Sequence, residues 1–276
     1  MTVYSINGHV VEENTPVFAA SSRIYRYGDG FFESMKLSAG RVLHLDLHFI
    51  RIRKSAMLLK MELPVDFNSE ILEKWVIAAA EFAGTENARV RCTILREGPG
   101  LYTPVQSGVT IVLEVNKTDT RSYEWNETGL SLGAYREMSK NANYLSMLKN
   151  TSALLNVMAG IYCKENGYDE CVIFNDQNRV AETNSSNLFM VSGDFVATPP
   201  LTEYCVDGVM RKVIIQLAQA YGYTVHEQAI TEISLGAADE IFLTSATRGI
   251  RWVRTYNGKP LKHNVSQVLF GLLNRD

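Results

Sequence analysis

Residues 181–211, AETNSSNLFMVSGDFVATPPLTEYCVDGVMR, constrain this chain more than any other stretch, because an acid, a polar loop, an apolar strand and a helix start follow one another in that order. In DGVMRKVIIQLAQAYG, Asp207 and Gly208 precede Val209, Val213, Ile214, Leu217 and Tyr221 at helical spacing, and Gly222 closes the series. A helix starting at Gly208, Val209 and Met210 leaves first-turn N–H groups unpaired with the positive end of the dipole behind them. That suits an anion such as phosphate. Taken alone, the same pattern is also that of an ordinary cap. Upstream, ECVIFN (170–175) is strand-like, Asp176, Gln177 and Asn178 make a turn, and RVAETNSSNLFMV sets Glu182 just before an apolar strand. Glu182 is then either a solvated loop residue or a buried carboxylate, which needs a cation or a strong donor.

The rest of the chain alternates both kinds of pattern. MTVYSINGHVV reads as a hairpin turning at Asn7–Gly8, followed by strands near 31–37 and 41–45, helices near 46–60 and 69–83, and the alternating runs ARVRCTILR and GVTIVLEV. The polar stretch NKTDTRSYEWNETG has no periodicity and marks a linker at 117–129. It divides an N-terminal domain, 1–116, from a larger one, 130–276. In the second half a strand precedes a helix that follows Lys149, with Leu154, Leu155, Met158, Ile161 and Tyr162 on one side. Strands to Ala197, the helix 209–221, a short amphipathic stretch near 231–236 and closing strands with a hairpin at Asn257–Gly258 complete it.

With 276 residues, 46% of them hydrophobic and 21% charged, the chain can bury a substantial core. A net charge of −3 without a long Lys/Arg run argues against nucleic acid or an acidic membrane as partner. No apolar run reaches membrane-spanning length and the N-terminus does not read as a signal peptide, so a cytoplasmic protein is expected. Cys92, Cys163, Cys171 and Cys205 form no C-x-x-C pair and the five histidines show no ligand spacing, so buried thiols and no metal are expected.

Seven ordered segments together resemble the class IV (fold type IV) aminotransferases that use pyridoxal 5′-phosphate: RYGDGFFESMKL (26–37), HFIRIRKSAMLL (48–59), the Lys149 segment, AETNSSNLF, ATPPL, DGVMR and ADEIFLTSATRGI (238–250). That group includes branched-chain and D-amino acid aminotransferases and 4-amino-4-deoxychorismate lyase. The resemblance implies a two-domain α+β fold of the D-amino acid aminotransferase type, with a small α/β N-terminal domain, a larger barrel-like C-terminal domain, the cofactor between them, and a homodimer whose partner loop helps close the site.

In such enzymes the cofactor carries the hard chemistry, while the protein supplies an amine for a Schiff base, a carboxylate for the pyridine nitrogen and a phosphate cup. Two lysines compete for the amine. Lys140 is followed by Asn-Tyr-Leu, as after the lysine of branched-chain enzymes, but it lies 30 positions before Glu170 (170 − 140), whereas Lys149 lies 21 before it (170 − 149), the interval the family resemblance asks for. Lys149 is therefore the expected catalytic residue. The resemblance makes Glu182 the acid, places Ser185, Ser186 and Asn187 in the cofactor loop, and builds the cup from Gly208, Val209, Met210, Arg51 and the turn Ser245, Ala246, Thr247. Arginine suits phosphate because its planar fork donates two parallel bonds. Tyr27, Glu33 and Arg96 are expected on the substrate side.

Two departures bear on the reaction. Many aminotransferases of the family have Thr where Ala246 stands and Pro where Trp252 stands, and lyase members resemble this chain in having Ala at the first. Glu33 instead follows the aminotransferase pattern, and Leu101 and Tyr102 stand where D-amino acid enzymes carry an Arg/His carboxylate trap. The resemblance thus implies transfer of an amino group between an amino acid, with the branched-chain ones among the candidates, and a 2-oxoacid. The alternatives are a lyase releasing pyruvate and 4-aminobenzoate from aminodeoxychorismate, and a non-catalytic binding protein on the same fold.

Overall fold

The computed structural model describes residues 2–275. Two compact units form, one from residues 1–122 with 149–152, the other from 123–148 with 153–276. The first break falls between residues 122 and 123, and four later residues, Lys149–Ser152, belong to the first unit.

The first unit contains β1 (Thr2–Ile6), β2 (His9–Val11), α1 (Arg23–Tyr27), β3 (Gly30–Ser38), β4 (Arg41–Val42), α2 (Leu45–Leu58), α3 (Ser69–Phe82), β5 (Ala88–Arg96) and β6 (Val109–Lys117). Its antiparallel sheet runs β2-β1-β6-β5-β3-β4. Asn7 and Gly8, both at positive φ, close the β1–β2 hairpin, and a Cβ on Gly8 would lie 2.3 Å from the Trp75 indole nitrogen, so this turn admits only glycine. On α3 the Asn68 side chain accepts from the Ile71 N–H at 2.9 Å, capping a helix whose Leu72, Val76, Ala79 and Ala80 face the core. Helix α2 differs, because its buried face carries His48, Arg51 and Ser55 beside Ile52 and Ala56. Polar groups on a core face require partners there.

The second unit contains β7 (Leu130–Lys140), α4 (Leu154–Asn166), β8 (Glu170–Asn175), β9 (Val180–Thr183), β10 (Asn187–Ser192), β11 (Phe195–Thr198), α5 (Val209–Ala220), β12 (Thr224–Glu227), α6 (Glu232–Ala237), β13 (Glu240–Ser245), β14 (Gly249–Tyr256), β15 (Lys259–Pro260) and α7 (Asn264–Leu273). Its mixed sheet runs β12-β11-β10-β13-β14-β7-β8-β9, with β15 on β14. The pairs β11–β12, β14–β7 and β7–β8 are parallel, and α4 is the crossover from β7 to β8. Strand β8 is buried throughout, as a strand covered on both faces should be. Phe189 and Phe242, opposite each other in the β10–β13 register, stack at 5.0 Å between ring centroids.

Two sequence expectations need correcting. The closing hairpin is followed by a further helix, α7, whose first amides, of Val265 and Ser266, donate to the Glu240 carboxylate on β13 at 3.0 and 3.2 Å. Helix α4 buries Ala159 and Cys163, while Leu154, Met158 and Ile161 on the face expected to anchor it are exposed, with only Leu155 and Tyr162 of that face packed inward. Lys149 lies before this helix in an extended segment: its carbonyl accepts from the Phe32 N–H at 2.8 Å, and the Thr151 N–H donates to the Gly30 carbonyl at 3.0 Å. All four cysteines are free and buried. Among the described residues no helix is long and apolar enough to cross a membrane, and no cluster of His, Cys, Asp or Glu could hold a metal ion.

Candidate active site

In the second unit, the parallel pairing of β7 with β8 and the antiparallel pairing of β8 with β9 bring the end of β7 alongside β9. Lys140 is the last residue of β7 and Glu182 stands on β9, paired with Ile173. Both are buried, at 8% and 5% exposure, and the Lys140 ammonium donates to Glu182 Oε1. The Val206 N–H donates to Oε2 at 2.8 Å. Glu182 is thus not a solvated loop residue: a cation and an amide hold a carboxylate that would otherwise be costly to bury. Cys205 next to it is inert, since burial first and then the Glu182 charge push its thiol up to about 12.

The loop after Glu182 is fastened from several sides. The Asn184 amide N–H donates to the Cys171 carbonyl at 3.1 Å while its side-chain oxygen accepts from the Cys171 N–H at 3.0 Å. Thr183 Oγ1 donates to Glu170 Oε2 at 2.5 Å and accepts from the Ser186 N–H at 3.0 Å. Asn187 Nδ2 donates to the Val206 carbonyl at 2.9 Å, locking the loop to the chain that enters α5.

Helix α5 begins at Gly208 with no side-chain cap, and Val209 and Met210 in its first turn are buried. A Cβ on Gly208 would lie 1.9 Å from Asn187 Oδ1, so the approach to the helix start is open only because residue 208 is glycine. The turn Ser245–Thr247 at the end of β13 is anchored by Tyr123, whose hydroxyl donates to the Ala246 carbonyl at 3.0 Å. Arg248 completes the turn, its Nη2 donating to Glu170 Oε1 at 2.9 Å, Ser185 Oγ at 2.6 Å and Ser186 Oγ at 3.2 Å. An uncapped helix start and several hydroxyls can donate to a phosphate, an anchored buried carboxylate can accept from a protonated ring nitrogen, and pyridoxal 5′-phosphate fits these residues.

In the first unit, the H-x-x-R spacing puts His48 and Arg51 three residues apart on one face of α2, aimed at Glu33 on β3. Arg51 Nε and Nη2 donate to the two Glu33 oxygens at 2.7 and 2.6 Å, and His48 Nδ1 lies 2.6 Å from Oε2. Burial alone would push the Glu33 carboxyl up, but the Arg51 charge and the hydrogen bonds from His48 and Arg51 outweigh it and hold it at about 2. Glu33 was expected on the substrate side. In the structure it is buried and accepts both bonds of the Arg51 fork, which sets that guanidinium. Arg96 is a clamp: Nε donates to Asp29, Nη1 to the Lys60 carbonyl at 2.9 Å and Nη2 to the Leu59 carbonyl at 2.5 Å. Tyr27 is half-buried and packs on Tyr102, their ring centroids 5.4 Å apart. Lys149, also half-buried, places Nζ 4.5 Å from the centre of the Phe32 ring.

Sequence reasoning missed the Lys140–Glu182 pair, the Tyr123 anchor and the Glu170–Arg248 link. Nothing in the local pattern signals them, since each joins residues at least 42 positions apart.

The family model of the class IV amino-transferases matches residues 30–256, and this chain belongs to that family. It is an enzyme of the class IV aminotransferase and aminodeoxychorismate lyase group, and its two α+β units have the fold type IV architecture. Its relatives include aminodeoxychorismate lyase of Vibrio harveyi, 29% identical with 83% of each chain covered. A putative branched-chain-amino-acid aminotransferase of Methanocaldococcus jannaschii is 25% identical, covering 95% of this chain and 90% of the relative. Among solved structures, the branched-chain aminotransferase of the archaeon Thermoproteus uzoniensis with norvaline superposes with a TM-score of 0.87 at 23% identity, covering 99% of this chain and 93% of its own.

Proposed function

We propose that this enzyme binds pyridoxal 5′-phosphate and transfers an amino group between an amino acid, of branched-chain type among the candidates, and a 2-oxoacid. The observation that carries the reading is Glu182, a buried carboxylate fixed by an ammonium on one oxygen and by a backbone amide on the other. That amide belongs to Val206, on the segment that leads into the uncapped start of α5 at Gly208. When bound, the cofactor supplies an electrophilic carbon and a ring that accepts the electrons of the substrate Cα–H bond.

The protein's own residues do the rest. Glu182 offers its carboxylate to the ring nitrogen, and Lys140 and Val206 keep that carboxylate oriented. Lys149 is the amine, and once neutral it takes the proton from substrate Cα and returns it on the other side of the reaction. Gly208, Val209 and Met210, with Ser185, Ser186, Asn187, Ser245 and Thr247, form the phosphate cup. A second copy of the chain covers the exposed side of α4, where Leu154, Val157, Met158 and Ile161 face solvent.

A second reading, lysis of aminodeoxychorismate, draws on Ala246, which lacks the hydroxyl found there in many aminotransferases, and on the similarity to the Vibrio harveyi lyase. Incubating the cofactor-loaded protein with L-leucine and 2-oxoglutarate should yield the leucine-derived 2-oxoacid. Pyruvate and 4-aminobenzoate from aminodeoxychorismate, with no 2-oxoacid from leucine, would establish the lyase instead. Turnover in neither assay would leave a binding protein.

A further inference from the structure

Arg248 belongs to none of the roles assigned so far, yet it touches both loops of the cup. Besides Glu170, Ser185 and Ser186, its Nε lies 3.5 Å from Ser245 Oγ. Its side chain is 38% exposed, whereas Glu170, which orients it, is 4% exposed and also accepts from Thr183 and Ser186. One guanidinium therefore gathers three hydroxyls from two separate loops, and a buried carboxylate fixes its direction.

The charge around it is unbalanced. Arg251, three residues along, has a buried Nε with no hydrogen-bond partner among the described residues. Burial, and then the Arg248 charge, hold the Arg251 guanidinium below the ordinary arginine value, with only Glu170 and Asp169 acting the other way. A guanidinium beside three hydroxyls, with a second arginine close enough for the two charges to oppose each other, forms a site that gains from an added anion. Ala246, in the same turn, contributes no hydroxyl.

We propose that Arg248, aimed by Glu170, is an anion-binding residue of the phosphate cup, supplying the donor and charge that Ala246 does not. The inference rests on the cofactor reading above. It differs from a purely structural role for Arg248, which would tighten the loops for any ligand of the pocket whether or not it carries phosphate.

The test compares the dissociation constants of pyridoxal 5′-phosphate and of pyridoxal, measured by absorbance titration, in the wild-type protein, in Arg248→Met and in Arg248→Lys. Loss of a charged hydrogen bond predicts that Arg248→Met weakens the phosphorylated ligand by about tenfold or more while pyridoxal stays within about threefold, and that Arg248→Lys recovers part of the loss. Equal weakening of both ligands, or no weakening of either, overturns the proposal. Thermal unfolding of each variant, and a Glu170→Gln variant that keeps Arg248 but loosens its aim, separate a folding defect from a ligand effect: Glu170→Gln should show a smaller loss confined to the phosphorylated ligand, and a loss shared by both ligands overturns the proposal. A wild-type protein that binds pyridoxal 5′-phosphate no better than pyridoxal would refute the cup itself, a different result from the equal losses that refute Arg248 alone.

Discussion

Glu33 in the first unit and Glu182 in the second are both buried carboxylates held by cations, but the cations differ in kind. Glu33 meets the rigid fork of Arg51 and the His48 ring, so both of its oxygens are filled by side chains locked into one face of α2. Glu182 meets the compact ammonium of Lys140 on a flexible stem and one backbone N–H. A fork fixes geometry, whereas a point charge on a flexible stem can shift while remaining close. The contrast teaches that burial and pairing do not by themselves mark a working acid. Glu33 has both oxygens filled by a rigid fork and a ring, whereas Glu182 is the carboxylate that the proposed reaction would use.

The largest effect that can break this comparison is on turnover. Glu182→Gln should lower kcat by about 10²-fold or more, because the neutral amide cannot support a protonated ring nitrogen, while its cofactor affinity changes less. Glu33→Gln should leave the kcat of the folded fraction within about tenfold. If steady-state kinetics give the two variants equal losses, the distinction between them is wrong.

Stability should show the reverse emphasis. Removing the Glu33 charge leaves the Arg51 guanidinium buried without its counter-ion, at a cost on the order of 3 kcal/mol in denaturant unfolding. The pH dependence sharpens the point. The Glu33 carboxyl is lowered from 4.5 to about 2 in the folded protein, so its contribution is complete above about pH 4.5 and disappears as pH falls toward 2. The wild-type protein should lose stability across that window relative to Glu33→Gln. Parallel pH profiles for the two would contradict the assignment.

The smallest effect concerns α4. Ile161→Glu adds a charge to its exposed apolar face and should shift the protein from dimer to monomer in size-exclusion chromatography with light scattering, with little change in the far-ultraviolet spectrum. An unchanged mass would remove α4 from the proposed contact.

What the sequence made legible was local. The Asn7–Gly8 turn, helices α2, α3 and α5 and the start at Gly208 all follow from signals within one turn or one periodic run. Helix α7 escaped because its first amides are satisfied by Glu240 from β13, a partner some 25 positions away that no cap pattern announces. The α4 face was misjudged because apolar spacing tells which residues share a side, not what covers that side. Lys140 looked like a rival to Lys149 while both were positions on a line. The parallel β7–β8 register puts it beside Glu182, which gives it a task as counter-ion. The Glu170–Arg248 pair forms only where β8 and the turn after β13 are folded together.

The measurement that bears most directly on the account is to load the protein with pyridoxal 5′-phosphate, reduce it with borohydride, and locate the pyridoxyl-modified lysine by peptide mass mapping. The account predicts the label on Lys149, with Lys140 unmodified. A label on Lys140 would make the residue beside Glu182 the working amine and would contradict the division of roles proposed for the two lysines.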